Sequence, residues 1–262
     1  MKLSEQKRAL ASAVKAARAA GKVMRQNLWS SKKINSSTQH DIKLELDVRC
    51  QKLIEKILLA GFPEVALLGE EGVSGNPKAA ERWVVDPIDG TVNFAFGVPH
   101  ACVCVALQVK NPRGRDYETV IGVVYDPFCD ELWTAIRGQP ARLNGKIIHV
   151  SRRNKLREVA VAVGFAKSRA VLDLTLPYFN KLIRRVRKVR MMGAAGLAMT
   201  YVATGRFDAY VERGIRLWDI AAGGLIVECA GGEFWREPVP GRHTYRMVTS
   251  NGLLRKQLQA IG

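Results

Sequence analysis

The sequence lacks any run of eighteen or more apolar residues, so we predict no membrane-spanning helix. It also lacks an apolar signal core at its start, where MKLSEQKRAL is typical of the beginning of a mature helix. Cysteines are few and odd in number, and none has the spacing of a metal-binding motif. We therefore expect buried, reduced thiols and a cytoplasmic protein. The cysteines are Cys50, Cys102, Cys104, Cys129 and Cys229.

Acidic residues are scarce, with 24 Asp and Glu against 41 Lys and Arg, which gives a formal net charge of +17. Such a charge favours anionic partners, whether phosphorylated metabolites, nucleic acid or acidic proteins. The excess is concentrated in residues 181–190, where KLIRRVRKVR contains six basic residues and no acid. A solvated basic face is the simplest interpretation, because neither interleaved aromatic residues nor a known nucleic-acid-binding module accompanies this run.

A chain of 262 residues that is 47% apolar can bury a large core. Helical periodicity in residues 4–28 and 45–60 is followed by short strand-like runs, which indicates a largely antiparallel meander. After these runs, strands alternate with helices in an α/β pattern. We predict one unit over 1–262, with an α+β half at 1–148 and an α/β half at 149–262. The predicted strands are 65–68, 83–86, 101–109, 119–127, 131–136, 159–163, 207–212 and 246–249, and the later helices are 170–185, 194–205, 218–230 and 251–260.

One segment, residues 83–94 (WVVDPIDGTVNF), ends an apolar strand in two aspartates. Asp86 is expected to close the strand, and Pro87 to fix a turn that returns Asp89 to the same side. Hard divalent cations prefer carboxylate and carbonyl oxygens, which Asp86, Asp89 and the Ile88 carbonyl could supply. The segment therefore predicts a metal site.

The two residues after Asp89 favour phosphate binding. Gly90 lets a ligand approach the backbone closely, and Thr91 begins a short helical turn whose exposed N–H groups could bind phosphate. The Thr91 hydroxyl could also orient a water molecule. An Asx-rich turn between a strand and a helix is the alternative interpretation of the same residues.

Two other segments carry carboxylates at comparable positions. Glu70 and Glu71 follow an apolar strand in the sequence LLGEEG. Asp219 lies in the first turn of an apolar helix, where it could act as the N-cap and could also direct its carboxylate beyond the helix end. Together with Asp86 and Asp89, these segments favour one oxygen-lined metal cluster.

These segments resemble the signature motifs of the inositol monophosphatase family. They occur in the family's order and approximate spacing, and the resemblance covers nearly the whole chain. It implies an alternating αβαβα layered sandwich of the sugar-phosphatase type. It also implies a magnesium-dependent, lithium-sensitive phosphomonoesterase that forms a homodimer. The motifs are GEE at 69–71, DPIDGTVN at 86–93, WDIAA at 218–222 and ECAGG at 228–232.

The resemblance also assigns metal ligands. Glu70, Asp86 and the Ile88 carbonyl would hold one Mg²⁺. Asp86, Asp89 and Asp219 would hold a second, so Asp86 would bridge the two ions. A third, weaker ion near Glu70 is found in many members. Two-metal hydrolysis, in which one ion activates water and the other stabilises the leaving oxygen, is the chemistry that this set implies.

Roles in proton transfer and phosphate binding follow from the same resemblance. Glu70 and Thr91 would orient the attacking water and accept its proton. Asp89 and the N–H groups of Gly90 and Thr91 would contact the phosphate. Asp47 corresponds to a family aspartate that pairs with the threonine at the position of Thr91, which suggests a proton relay. A favourable charge early in a helix is the alternative role of Asp47.

The chain departs from the family pattern at two places that we expect to affect specificity. Residues 41–44 read DIKL where the family has Asp-x-Val-Thr, so Leu44 replaces a threonine. Residues 193–196 read GAAG where the family typically has Gly-Ser/Thr-Ala-Ala, so Ala194 replaces a residue with a hydroxyl. Ala195 remains a predicted substrate contact.

Glu212 matches a carboxylate that contacts substrate hydroxyls in inositol phosphatases. An exposed glutamate paired with Arg213 or Arg216 is the alternative. Inositol 1-phosphate is therefore the first candidate substrate, and fructose 1,6-bisphosphate, 3′-phosphoadenosine 5′-phosphate and histidinol phosphate are the alternatives. A function from another class is also open, namely binding of RNA or the transcription machinery through residues 181–190.

Overall fold

The computed structural model describes residues 1–37, 42–76, 78–111, 116–165 and 169–261. Asp41, the first residue of one predicted motif, lies outside these ranges. None of the helices within them combines the length and the apolar character that a bilayer crossing requires.

The helices in these ranges arise where small and apolar residues recur at helical spacing. The first buries a row of alanines that includes Ala9, Ala13, Ala16 and Ala20, which lets it lie close to the sheet beneath. A 3-10 turn lies at Leu156–Glu158. The helices are α1 (Leu3–Asn27), α2 (Glu45–Gly61), α3 (Thr91–Ala95), α4 (Arg169–Ile183), α5 (Ala195–Ala203), α6 (Leu217–Cys229) and α7 (Arg255–Gln259).

The strands are short except in the buried centre of the molecule. Runs of β-branched residues form the long central strands, in keeping with the preference of such residues for buried sheet positions. The strands are β1 (Ile34–Ser37), β2 (Ile42–Leu44), β3 (Ala66–Gly69), β4 (Gly72–Ser74), β5 (Glu81–Asp89), β6 (Cys102–Lys110), β7 (Tyr117–Asp126), β8 (Glu131–Ile136), β9 (Arg142–Leu143), β10 (Lys146–Ile147), β11 (Ala160–Val163), β12 (Lys188–Arg190), β13 (Ala209–Arg216), β14 (Glu233–Pro238) and β15 (Thr244–Ser250).

The larger sheet has the strand order β10-β9-β8-β7-β6-β5-β3-β4. Strands β5 to β8 pair antiparallel, which confirms the predicted meander, and β3 pairs parallel with β5. Helices α1 and α2 pack on one face of this sheet. The core between them contains Met24, Ile54 and Trp83, all fully buried.

The smaller sheet has the strand order β12-β11-β13-β15-β14. Strand β11 pairs parallel with β12 and β13, whereas β15 pairs antiparallel with β13 and β14. Helices α4 and α7 contact this sheet. The core on this side contains Val161, Leu182 and Leu258.

Helices α5 and α6 lie between the two sheets. Helix α6 contacts β5, β6 and β7 of the larger sheet as well as β13, β14 and β15 of the smaller one. Both helices are apolar on nearly all sides, as a helix enclosed between two sheets must be. The successive layers are α1 with α2, the larger sheet, α5 with α6, the smaller sheet, and α4 with α7. This arrangement confirms the predicted αβαβα sandwich.

Several short strands are not predicted by the sequence pattern. Strand β14 has the sequence EFWREP and is half-buried along most of its length, so no clean polar and apolar alternation marks it. Strand β12 lies within the basic run and carries exposed Lys188 and Arg190.

The larger sheet ends at Ile147 and the smaller begins at Ala160, but the division of the chain near residue 148 stays a prediction.

All five cysteines are free. Three of them are fully buried, as predicted, and Cys229 is half-buried. Cys129 is exposed, so the expectation of buried thiols is wrong at this position, because it lies in the turn between β7 and β8. The buried cysteines are Cys50, Cys102 and Cys104.

Candidate active site

A bulge in β5 places its two aspartates on the same face of the larger sheet. Asp86 pairs with Cys104 of β6 and Asp89 pairs with Cys102, so three steps along β5 match two steps along β6. Residues three apart in a regular strand point to opposite faces, and the extra residue of the bulge removes that difference. Both carboxylates therefore point towards α5 and α6.

The bulge also corrects one prediction. The strand does not end at Asp86 and Pro87 does not form a turn, because β5 continues to Asp89. Proline has no N–H to donate to a neighbouring strand, and the bulge is a position where none is required. The sequence predicts a turn after the strand, and the structure instead has a bulge within the strand.

Local hydrogen bonds hold the backbone between the two aspartates. The Ile88 N–H donates to Asp86 Oδ1 at 3.1 Å, which is the Asx-type contact of the alternative interpretation. The Thr91 hydroxyl donates to the Ile88 carbonyl at 2.9 Å. Gly90 adopts φ +91°, and a Cβ there would lie 3.0 Å from the carbonyl oxygen of His100, so glycine is required.

Asp89 lies against the N-terminus of α5. The Ala195 N–H donates to Asp89 Oδ1 at 3.1 Å, and the Gly196 N–H donates to Asp89 Oδ2 at 2.6 Å. The positive end of the helix dipole favours a carboxylate at this place. Ala195, a predicted substrate contact, thus has its N–H occupied by Asp89, although the residue still lines the cleft.

Asn93 connects this region to the loop before α5, a role that the sequence analysis does not assign. Its Nδ2 donates to the carbonyls of His100 at 2.9 Å and Met192 at 2.8 Å. A Cβ at Gly193 would lie 3.0 Å from Asn93 Nδ2, so the loop passes directly over the amide. Its place in the DPIDGTVN motif is the only signal in the sequence.

Glu70 and Asp219 reach the same cleft from other elements. Glu70 follows β3, and its N–H donates to the Val85 carbonyl at 3.2 Å beside the end of β5. Asp219 is the third residue of α6 and not its N-cap, because Arg216 holds that position. Asp219 Oδ2 accepts a hydrogen bond from the Arg216 N–H at 2.9 Å, which is one of the two hydrogen bonds of a capping box.

The cleft that these residues line has a volume of about 280 Å³. This volume is close to the lower limit of about 300 Å³ for small-molecule pockets. Of the predicted site residues, only Asp47 lies outside its lining in the described part of the chain. Ala194, a departure from the family pattern, also lines it. The predicted residues that line it are Glu70, Asp86, Ile88, Asp89, Gly90, Thr91, Ala195, Glu212 and Asp219.

Asp47 is buried at the start of α2 and does not pair with Thr91. Its Oδ2 accepts the Leu44 N–H at 2.8 Å, and its Oδ1 has no hydrogen-bond partner within the described ranges. The Thr91 hydroxyl instead donates to Ile88. The predicted pair is therefore not formed, because the first turn of α2 holds the carboxylate as a cap. Leu44 itself lies in the core beneath α1 and α2, not in the cleft.

Two polar residues of β13, Tyr210 and Glu212, form a hydrogen-bonded pair. The Tyr210 hydroxyl donates to Glu212 Oε2, and both residues line the cleft. They share a face because they are two apart on a strand. A Cβ at Gly164 would collide with Glu212 Oε2, so the carboxylate lies directly over a glycine. Arg216, one partner considered for Glu212, donates to Thr244 Oγ1 and to the Arg242 carbonyl.

The sequence profile of the inositol monophosphatase family matches residues 5–244. The chain belongs to the inositol monophosphatase family. Its members are phosphoric monoester hydrolases that depend on metal ions, so this chain is a phosphatase.

Several relatives match this phosphatase over most of its length. "Inositol monophosphatase 2" of Solanum lycopersicum is 40% identical over 230 residues, covering 84% of each chain. "Nus factor SuhB" of Xylella fastidiosa is 38% identical over 231 residues, covering 87% of this chain and 81% of that protein. The crystal structure of SuhB from Bartonella henselae superimposes with a TM-score of 0.87 at 29% identity, covering 95% of this chain and 96% of that one. The inositol monophosphatase of Anabaena superimposes with a TM-score of 0.85 at 31% identity, covering 98% and 96%.

The carboxylates of the phosphatase repel one another in the absence of a counter-charge. Burial raises the pKa of Asp86 well above its usual range, and the charges of Glu70, Asp89 and Asp219 raise it further. Burial also raises the pKa of Asp89 to about 6, although hydrogen bonds from the N-terminus of α5 oppose that shift. A buried set of hard oxygen donors with uncompensated negative charge fits a divalent cation such as Mg²⁺.

Burial likewise raises the pKa of Asp47 to about 7, and the charges of Glu70 and Glu71 add to this effect. Asp47 therefore lies within the electrostatic field of the cluster, although it lies outside the lining of the cleft within the described residues.

We expect Mg²⁺ to raise the melting temperature more at about pH 7.5 than at about pH 5. Without metal, the folded protein binds more protons than the unfolded chain between the unfolded Asp pKa, about 3.9, and the raised folded values. The metal-free protein therefore loses stability as the pH rises through this window, and a cation that neutralises Asp86 and Asp89 restores it. Thermal unfolding with Mg²⁺ or a chelator across this range measures the effect.

Two variants, one at a titrating aspartate of the site and one at an exposed aspartate, test whether the pH dependence arises from the cluster. Asp89→Asn removes one titrating group and should flatten the pH dependence of the Mg²⁺ effect. Asp173→Asn, at an exposed position of α4, should leave it unchanged. An equal rise in melting temperature at both pH values in the wild type would contradict the electrostatic interpretation.

Proposed function

We propose that this phosphatase hydrolyses a small phosphate monoester with Mg²⁺, and that inositol 1-phosphate is its first candidate substrate. The observation that carries the proposal is the convergence of three separate segments on one cleft. The bulge of β5, the residue after β3 and the first turn of α6 all contribute a carboxylate there. Relatives named inositol monophosphatase support the substrate class.

The donor set supports two Mg²⁺ ions. Glu70, Asp86 and the Ile88 carbonyl would hold one, and Asp86, Asp89 and Asp219 the other, with a third, weaker ion near Glu70. Bound there, Mg²⁺ would supply Lewis-acid stabilisation of the phosphate oxygens and make water a nucleophile at neutral pH. Inhibition by lithium is expected on the basis of the family.

The residues around the cations have separate tasks. The first N–H groups of α3, at Gly90 and Thr91, have no acceptor within the helix and are available to phosphate oxygens. The Thr91 hydroxyl is held at the Ile88 carbonyl and, with Glu70, would orient the attacking water. The Glu70 carboxylate would accept the proton that this water loses.

Glu212 would recognise the alcohol that leaves. Its carboxylate accepts a hydrogen bond from Tyr210 and lines the cleft, where its oxygens would accept hydrogen bonds from hydroxyl groups of a polyol. Ala194, which also lines the cleft, offers no hydroxyl to such a substrate. Fructose 1,6-bisphosphate, 3′-phosphoadenosine 5′-phosphate and histidinol phosphate are the alternative substrates.

Exposed apolar side chains support a homodimer, which is a further part of the proposal. Trp29 is 80% exposed and Phe96 is 76% exposed. The Trp29 ring lies beside the residue that follows Phe96, because a Cβ at Gly97 would contact it at 3.3 Å. Contiguous exposed apolar surface is typical of protein interfaces.

We predict that Asp86→Asn lowers kcat by at least about 1,000-fold, because bound metal contributes several kcal/mol and each 1.36 kcal/mol is tenfold in rate. The variant loses the one carboxylate shared by both proposed cation sites but keeps a side chain of the same shape. Phosphate release from a panel of the four candidate substrates, with and without Mg²⁺, measures the effect and ranks the substrates.

Asp173→Asn is the matched control, since it removes an exposed carboxylate from α4 and should retain wild-type turnover. Near wild-type turnover by Asp86→Asn with Mg²⁺ would contradict the assigned mechanism. Activity confined to 3′-phosphoadenosine 5′-phosphate would contradict the inositol substrate while leaving the mechanism intact.

The basic run supports a second function, binding of RNA or the transcription machinery. All six basic side chains of residues 181–190 are exposed, and three of them lie on or beside the edge strand β12. Several relatives bear the name "Nus factor SuhB", among them those of Xylella fastidiosa and Pasteurella multocida. An exposed row of cations is suited to phosphate groups of a nucleic acid.

We predict salt-dependent binding of single-stranded RNA that is weakened when Arg184, Arg185 and Arg187 are replaced by Ala. Each phosphate contact contributes about 0.7 to the slope of log affinity against log salt, so the slope should fall by about 2. Fluorescence anisotropy over a range of salt concentrations measures both quantities.

The matched control removes three equally exposed cations from α1, by replacing Lys7, Lys15 and Lys22 with Ala. It lowers the net charge by the same amount and should leave the slope nearly unchanged. Equal effects of the two triple variants would show that net charge alone attracts RNA, which would contradict a site at residues 181–190.

A further inference from the structure

Two buried thiols lie directly behind Asp89. Cys102 and Cys104 are two residues apart on β6, so they share a face, and neither has exposed surface. Their sulfur atoms are 3.8 Å apart, and Cys102 Sγ lies 3.4 Å from Asp89 Oδ2. The two sulfurs and one Asp89 oxygen all lie within 4.8 Å of one another.

These distances match the edges of a tetrahedral zinc site. Zinc binds thiolate sulfur at about 2.3 Å and carboxylate oxygen at about 2.0–2.2 Å. With tetrahedral angles, those bonds give edges of about 3.8 Å between two sulfurs and about 3.5–3.7 Å between sulfur and oxygen. The observed distance between the sulfurs is 3.8 Å, and that between Cys102 Sγ and Asp89 Oδ2 is slightly shorter than the ideal edge, at 3.4 Å. Three protein ligands leave the fourth position for water.

Gly196 allows the three ligand atoms to face one another. A Cβ at this residue would lie 2.5 Å from Cys104 Sγ, 3.0 Å from Cys102 Sγ and 3.1 Å from Asp89 Oδ2. Any side chain here would therefore intrude among the donors. Gly196 therefore keeps open the space that the two sulfurs and the carboxylate enclose.

The chemistry of the donors selects a different cation from that of the open cleft. Thiolates favour soft or borderline ions such as Zn²⁺ and Cd²⁺, whereas Mg²⁺ prefers oxygen ligands. Glu70, Asp86 and Asp219 line the cleft next to Asp89, and their charges attract cations to this region. Asp89 belongs to both donor sets and lines the cleft, so it is the one of the three donors that a cation in the cleft would meet directly.

We propose that Cys102, Cys104 and Asp89 form a binding site for a thiophilic divalent cation such as Zn²⁺, and that its occupation inhibits the phosphatase by withdrawing Asp89 from the magnesium site. On binding, each S–H bond is replaced by a bond from sulfur to the metal, and both protons pass to the solvent. The inhibition rests on the proposed function, whereas the binding does not.

The binding is tested with Cd²⁺ alone, added to the reduced, metal-free protein. Thiolate-to-cadmium charge-transfer absorption in the ultraviolet should rise and saturate at one ion per chain, and Zn²⁺ should displace it. Cys104→Ser should weaken Cd²⁺ binding by at least about 100-fold, because losing a group that merely orients a ligand already costs about 10–100-fold.

Cys129→Ser is the matched control, because it removes an exposed thiol and should leave the absorption and affinity unchanged. Cys104→Ala, which avoids burying a hydroxyl, replaces Cys104→Ser if the latter does not fold by circular dichroism. Absorption that survives loss of Cys104, or that disappears with Cys129, would overturn the proposed site.

The inhibition is tested separately, in Mg²⁺-dependent phosphate release with added Zn²⁺. Each protein is compared with its own rate without Zn²⁺, and Cys104→Ala should require at least tenfold more Zn²⁺ than the wild type for half-inhibition. Equal sensitivity would overturn the inhibitory role. A protein that binds Cd²⁺ through Cys104 but releases no phosphate with Mg²⁺ would overturn the proposed function and leave the soft-metal site standing.

Discussion

Three steps along β5 pair with two steps along β6, and this mismatch positions the whole site. Without the bulge, Asp86 and Asp89 would point to opposite faces, and one carboxylate would be buried against α1 and α2 in an apolar core. With it, both point towards the layer between the two sheets. The bulge also holds the Ile88 carbonyl and the Thr91 hydroxyl together at the rim of the cleft.

Asp89 connects the larger sheet to the helix layer beside it. Its carboxylate arises from the larger sheet but is held by the first N–H groups of α5, and Asn93 fastens the loop that leads into that helix. A shift of α5 relative to the larger sheet would therefore change the orientation of one carboxylate. The same contacts bring Asp89 onto the sulfur pair of β6, which makes this residue the point shared by a hard and a soft donor set.

Local patterns in the sequence predict the helices, the long strands and the clustering of carboxylates at strand and helix ends. The αβαβα layering follows from the resemblance of the motifs. The bulge could not be predicted, because Pro87 after an apolar run is equally typical of a strand end. The contacts of Asp47 and Glu212 are local, with partners three and two residues away, whereas the contact of Cys102 depends on a neighbouring strand. Asp47 is held by Leu44 at the start of α2, and β-strand register decides that Cys102 faces Asp89. No spacing of cysteines alone would indicate a metal site, since the third donor is an aspartate thirteen residues away.

The central claim is that Asp86 bridges two cations in the bulge of β5. Anomalous diffraction from crystals containing Mn²⁺, which shares the preference of Mg²⁺ for oxygen ligands, tests it directly. We predict two anomalous peaks, each within about 2.0–2.6 Å of an Asp86 carboxylate oxygen. The absence of any peak in contact with Asp86, or a single peak bound only by other residues, would contradict the claim.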